Sequence, residues 1–256
     1  MDYIRFAALG DSASHGVGDL TPAGHRGWAQ LLADAMDVHH HVSLCKVAIP
    51  GSTVAQVRHE QLAEAVAHRP IIASLVVGLN DTVRSVWDPA QIRDDLMHCA
   101  GALAGQGALV MTPRFHDHSR VLGLPWFLAR PMQRRIAELN EIYDEVHEAY
   151  GVVHIDLDRD PGIYERDRWA MDRLHPSELG HRCLARHVGL ALQAEGIDFL
   201  LPSLDCDNPR PKARQGRPHP RRGGHAVAGP AGPRPRPFCD PARPAPHPRP
   251  APRHDP

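Results

Sequence analysis

Apolar residues along the first 200 or so positions fall into two alternating kinds of pattern. Short, nearly continuous runs occur at Tyr3–Leu9, Val42–Ile49, Ile71–Val77, Ala108–Thr112 and Val152–Leu157. Each is the length of a strand and is bounded by Gly, Pro or polar residues, and Ile71–Val77 has the unbroken aliphatic character of a strand covered on both faces. Between the runs, apolar residues recur at helical spacing. One set is Trp28, Leu31, Leu32, Ala35 and Met36; another is Ile92, Leu96, Cys99, Ala100 and Leu103. Ile136, Leu139, Ile142, Tyr143, Val146 and Tyr150 form a third, and Leu179, Cys183, Leu184, His187, Val188 and Leu192 a fourth. Val54, Val57, Leu62, Ala65 and Val66 make a broken stripe.

Local punctuation agrees with these elements. Thr53 suits the N-cap of the broken stripe, and Asp88-Pro89 opens the next helix with a capping acid and a proline in the first turn. Thr21-Pro22-Ala23-Gly24 reads as a turn, while Gly10, Pro50-Gly51, Pro70 and Gly151 end elements. Residues 113–131 read as a long irregular stretch. Strands alternating with helices predict an α/β fold, a three-layer α/β/α arrangement around a mostly parallel five-stranded sheet.

Composition divides the chain. From Ser203 to Pro256, ten Arg and one Lys face four Asp, a formal charge of +7, which leaves −8 for residues 1–202. That segment holds 15 of the 25 prolines and no aliphatic run, so it is expected to form a disordered tail behind a folded domain at 1–202. Pro, Arg, Ala and Gly are also what GC-rich codons yield in a shifted frame, a point that resequencing the locus settles. The tail has one aromatic, Phe238, so no nucleic-acid binding is expected from it.

Five scattered cysteines without CxxC spacing argue against a disulfide framework and a zinc ribbon. The first residues do not read as a signal peptide, and no apolar run approaches the roughly 20 residues that span a bilayer. A cytoplasmic protein is expected.

If the sheet is parallel, the loops after successive strands share its carboxyl edge, where open α/β sheets carry their chemistry. Those loops hold Gly10-Asp11-Ser12, Pro50-Gly51-Ser52, Gly78-Leu79-Asn80-Asp81 and Asp172-Arg173-Leu174-His175. Ser12 is the candidate nucleophile and His175 its base, with Asp172 three residues upstream to orient the imidazole. The backbone N–H groups of Ser12 and Gly51 and the side-chain amide of Asn80 are candidate oxyanion donors. Taken singly, each has a plain structural reading as a cap, turn or solvated loop residue. Together, in order at successive strand ends, they suggest one site.

Other motifs are absent or incomplete. Ser14 stands where a Gly-x-Ser-x-Gly nucleophile elbow needs glycine, and no Walker-type phosphate loop occurs. Gly16-Val17-Gly18 is only a fragment of a dinucleotide loop. His39-His40-His41 reads as surface, and His116-Asp117-His118 as pocket lining rather than a metal site. No cofactor or metal is expected. The 113–131 stretch, with Phe115, His116 and Trp126, is the candidate substrate-contacting element.

Gly10-Asp11-Ser12, Gly51, Gly78-Leu79-Asn80-Asp81 and Asp172-Arg173-Leu174-His175-Pro176 resemble the four blocks of the SGNH hydrolases, also called the GDSL esterase/lipase superfamily. Ile49 stands where the family usually has Asn two residues before the second-block glycine, and Ala13 replaces the name-giving Leu. The resemblance covers roughly residues 3–196. It implies a flavodoxin-like fold and metal-free hydrolysis of a small-molecule ester through Ser12, His175 and Asp172, with Gly51 and Asn80 as oxyanion donors. The alternative is a non-catalytic binding protein on the same fold whose basic tail recruits a partner.

Overall fold

The computed structural model describes residues 2–207. Five parallel strands form the sheet: β1 (Tyr3–Gly10), β2 (His41–Lys46), β3 (Ile72–Val76), β4 (Leu109–Arg114) and β5 (Val153–Asp156). Their spatial order is β2-β1-β3-β4-β5, the flavodoxin-like winding. The chain moves outward from β1 to β2, then returns past β1 to β3. The crevice at the carboxyl ends of β1 and β3 is therefore the switch point of the sheet, where two loops diverge and leave room for a ligand.

Four long helices cover the faces: α1 (Gly27–Asp37), α2 (Pro89–Ala104), α3 (Trp126–Tyr150) and α4 (Glu178–Ala194). The period-two alternation of β1 decides which side chain meets which layer. Ile4, Phe6 and Ala8 join Trp28, Leu32 and Met36 of α1 and Val188 and Leu192 of α4. Ala7 and Leu9 point the other way, into a cluster with Leu96 and Leu103 of α2 and Leu139 and Tyr143 of α3. Both faces are buried, which is why β1 and β3 read as continuous apolar runs. Tyr143 is fully buried, and its hydroxyl donates to the Val77 carbonyl at 2.7 Å.

The broken stripe at 54–67 has a structural cause. Two helical pieces, Val54–Gln56 and Leu62–Ala67, are joined by a π-helical turn over Val57–Gln61. The Leu62 N–H bonds to the Val57 carbonyl, five residues back, which is the spacing at which the apolar stripe skips. Thr53 caps this helix with a capping box to Gln56, and Asp88 caps α2, as the sequence predicts.

The expectation of an irregular stretch at 113–131 is corrected. Pro113 lies inside β4, a short helix spans His118–Leu122, and α3 begins at Trp126 with Pro131 inside it. Pro131 sits in the second turn, and its missing N–H leaves one intrahelical bond unmade near the helix start. The downstream stripe from Met132 to Val146 buries enough surface to hold the helix through it. The Thr21–Gly24 turn is a small hairpin, Leu20–Thr21 pairing with Gly24–His25.

Residues 203–207, assigned to the tail by composition, are described and carry contacts to the domain. Arg182 donates to the Ser203 carbonyl at 3.2 Å, and Asp207 pairs with Arg26 at 2.6 Å. The rest of that segment, 208–256, lies outside the described residues. Among the described residues no helix is long and apolar enough to cross a membrane.

Candidate active site at the carboxyl edge of the sheet

β1 ends at Gly10, where φ is +142° and a Cβ would lie 2.1 Å from the Val76 carbonyl oxygen. Only glycine allows the chain to turn there against β3. Asp11 follows as the N-cap of a single helical turn, Ser12–His15, and accepts from the Ala13 N–H at 3.0 Å. Ser12 thus becomes the first residue of that turn. Its backbone N–H bonds to nothing among the described residues, and neither does its hydroxyl.

The segment after Ser12 is pressed against the loop that carries His175. A Cβ at Gly18 would fall 1.9 Å from the Pro176 carbonyl oxygen and 3.6 Å from the His175 Cβ. This contact explains the Gly16-Val17-Gly18 run: close backbone approach rather than a phosphate cradle. His181 of α4, fully buried, locks the same region, since its Nε2–H donates to the Val17 carbonyl at 3.0 Å and its Nδ1 accepts from the Trp28 N–H at 3.3 Å. Burial lowers its pKa to about 4 and keeps it neutral.

His175 Nδ1 lies 2.7 Å from Asp172 Oδ2. Asp172 also accepts from the backbone N–H of Leu174 at 2.9 Å and of His175 at 3.1 Å. Desolvation opposes its charge, but these hydrogen bonds, the one from the His175 ring foremost, outweigh it and hold the carboxyl below its ordinary range. An ionised carboxylate only accepts, so Nδ1 carries the ring proton and Nε2 keeps its lone pair. That is the tautomer of a general base. In this structure the Ser12 hydroxyl and His175 make no hydrogen bond.

The loops after β2 and β3 are tied to each other and to β1. Asn80 Nδ2 donates to the Ser52 carbonyl at 3.1 Å and reaches Asp11 Oδ2 at 3.4 Å. Asp81 accepts from the Val54 N–H at 3.2 Å. Gly51 is exposed at φ +83°, with a backbone N–H that bonds to nothing among the described residues. Ile49 is 44% exposed and supplies no polar anchor. The anchoring comes instead from Gln61 in the π-helical turn, 1% exposed, whose amide bonds Gly10 on both sides and Ser52 Oγ at 3.1 Å. Gln61 was not singled out from the sequence, although a Gln four residues after Val57 on an apolar stripe was its signal.

Two buried carboxyls stand behind these loops. Burial raises Asp11 to about 6, with Asp81 reinforcing the rise and His175 and the Ala13 N–H opposing it. Burial likewise raises Asp81 to about 6, against the Val54 N–H.

Beside the Ser12 and His175 loops lies a cleft of about 640 Å3, its open mouth included. Phe115 and His116 line it, as the sequence suggests for the substrate-contacting element. Trp126 does not: it is 71% exposed at the start of α3, edge-on to Phe127. His118, read with His116 as pocket lining, also lines the cleft, its Nδ1 3.1 Å from His116 Nε2.

Solved structures with this fold are numerous. That of TesA superposes with a TM-score of 0.60 at 22% identity, covering 74% of this chain and 98% of that one. Axe2, an acetylxylan esterase from Geobacillus stearothermophilus, gives 0.62 at 17%, covering 77% and 95%. The psychrotrophic esterase EstA from Pseudoalteromonas sp. gives 0.61 at 16%, covering 76% and 99%. At such identities the likeness establishes the fold. No curated protein sequence matches the chain. The model of the GDSL-like lipase/acylhydrolase family matches residues 8–183, a span that runs from β1 through the loop of Asp172 and His175 into α4, and the chain belongs to that family of ester hydrolases.

Proposed function

We propose that the protein is a serine carboxylic-ester hydrolase acting on a small-molecule acyl ester through a Ser12–His175–Asp172 triad and an acyl-enzyme. The observation that carries this reading is the 2.7 Å bond between His175 Nδ1 and an ionised Asp172, on a loop in contact with the segment after Ser12. It leaves His175 Nε2 free to take the Ser12 proton. The serine oxygen attacks the ester carbonyl carbon, and the carbonyl oxygen gains the negative charge. The unbonded N–H groups of Ser12 and Gly51 are the donors for that oxyanion. Asn80 joins them by keeping one N–H on the Ser52 carbonyl and turning the other, which makes the long 3.4 Å contact to Asp11, onto the oxyanion. His175 then gives the proton to the leaving alcohol. Water, deprotonated by the same imidazole, releases the acid and restores Ser12.

Free backbone N–H groups at Ser12 and Gly51, on loops after neighbouring strands, favour catalysis over a purely binding role on this fold. The test is hydrolysis of p-nitrophenyl acetate together with labelling by a fluorophosphonate. Wild type is expected to turn over the ester and to carry the label on Ser12, and Ser12→Ala to do neither. Equal turnover by Ser12→Ala overturns the assignment.

A further inference from the structure

The cleft begins at residues that adjoin the proposed machinery in sequence: Ala13 after Ser12, Leu79 before Asn80, and Leu174 and Pro176 on either side of His175. A group held there lies beside the ester carbon that Ser12 attacks. Further in, the walls are Val76, Phe115, Leu157, Ile163, Trp169 and Leu184, and the surface they present is almost wholly carbon.

Most polar side chains along the cleft are engaged within the protein, though one ring nitrogen each of His116 and His118 has no partner. Asp160 is paired with Arg168 at 2.5 Å. His116 and His118 share a hydrogen bond, and both rings pack against Trp169 at centroid distances of 5.3 and 5.1 Å. Trp169 is itself fixed by a 2.6 Å bond from its indole N–H to the Ile163 carbonyl. The walls thus offer no unpaired charge to a phosphate, a sugar or a charged acyl group. The Asp172 side chain beside the base is half exposed, which suits departure of an alcohol and entry of water there.

On this basis, and resting on the ester-hydrolase reading above, we propose that the cleft is an acyl pocket for an unsubstituted, medium-length aliphatic chain, so that the preferred substrates are esters of such acids rather than acetates. Each methylene that enters it leaves water for carbon surroundings, an effect of about two- to fourfold per carbon on kcat/KM.

A series of p-nitrophenyl esters from acetate to dodecanoate tests this with the full chain. The expected result is a climb in kcat/KM from acetate by two- to fourfold per methylene, followed by a fall once the cleft is filled. Leu184→Trp, which adds bulk to its wall, is expected to lower the octanoate-to-acetate ratio at least tenfold. Labelling rates of wild type with fluorophosphonates of increasing alkyl length give the same ordering without a variant. A flat series, or acetate as best substrate while Ser12 still labels, overturns the pocket and leaves the triad standing. Chain dependence in alkyl acetates but not in p-nitrophenyl alkanoates assigns the cleft to the alcohol and overturns the acyl assignment. Preference for 3-hydroxyoctanoate over octanoate gives the unpartnered outer nitrogens of His116 and His118 to a hydroxyl and overturns the unsubstituted chain. No turnover and no labelling at any length removes both readings.

Discussion

The side-chain amide of Gln61 closes on the backbone of Gly10 from both directions: Nε2 donates to the Gly10 carbonyl and Oε1 accepts from the Gly10 N–H, each at 2.9 Å. Gly10 lies two residues before Ser12, and the same Nε2 reaches Ser52, whose carbonyl holds Asn80. One buried amide therefore joins the loop of Ser12, the proposed nucleophile, to the loops of Gly51 and Asn80, the other proposed oxyanion donors.

Replacing it separates positioning from binding. Gln61→Leu removes this partner from the Gly10 N–H and the Ser52 hydroxyl and leaves the Gly10 carbonyl its 3.3 Å bond from the Ile49 N–H, at roughly 2–4 kcal/mol of stability. For a domain of this size each kcal/mol lowers Tm by about 2–4 °C. Displacing Ser12 relative to its donors is expected to lower kcat by about tenfold to a hundredfold, with KM changed less than about threefold. Thermal melts and steady-state kinetics on one ester check it; a Tm loss with unchanged kcat assigns Gln61 to stability alone.

Asp172→Asn removes the charge that fixes the His175 tautomer. The carboxylate is half exposed, so little stability is at stake, and Tm is expected to stay within about 2 °C. Loss of kcat by about 10²–10⁴ is expected. Kinetics and a melt on the same preparation test both halves, and near-wild-type kcat excludes the orienting role.

Two glycines with positive φ make opposite predictions. At Gly10 an added Cβ meets the Val76 backbone at 2.1 Å, so Gly10→Ala forces β1 away from β3 and is expected to cost more than about 3 kcal/mol. At Gly51, φ +83°, nothing lies within 4 Å of the added atom. Gly51→Ala bears only backbone strain of about 1–2 kcal/mol, and its relief moves the N–H. The alanine at 51 is expected to fold and lose activity about tenfold, the alanine at 10 to fold poorly if at all. Urea unfolding and kinetics on both variants distinguish them.

Stability should respond to pH through Asp81. In the folded chain burial raises its pKa to about 6, whereas the unfolded chain releases the proton near 3.8. Folding therefore takes up a proton between those values, and a contribution present at low pH is lost as pH rises through about 6. Asp81→Asn escapes this loss while its amide oxygen still faces the Val54 N–H. Its Tm relative to wild type is expected to rise from pH 5 to pH 8, by an amount equivalent to roughly 1–3 kcal/mol. Buried His116, His118 and His181, lowered to about 3, 4 and 4, act in the opposite sense, and the wild-type comparison cancels them. A difference that does not change with pH refutes the coupling.

The sequence by itself determined the architecture and which four loops lie at the carboxyl edge as the candidate site, because both are written in local patterns. Runs such as Ile71–Val77 read as strands covered on both faces, and the order of strand ends put Ser12, Gly51, Asn80 and the Asp172–His175 pair on one edge. Where nonlocal packing competes with a local signal, the sequence was silent or misleading. The stretch up to Pro131 read as irregular, yet α3 starts at Trp126 and runs through that proline because the apolar stripe beyond it is buried. Trp126 and Phe115 looked alike as apolar loop residues; tertiary packing turned one outward and placed the other in the cleft. A Gln on an apolar stripe marked Gln61 as unusual, but not what it holds, because its partners at Gly10 and Ser52 are 51 and 9 residues away. A period of 3.6 or 2 records which face of an element is buried. Which polar atom meets which across the sheet is decided only when the layers close.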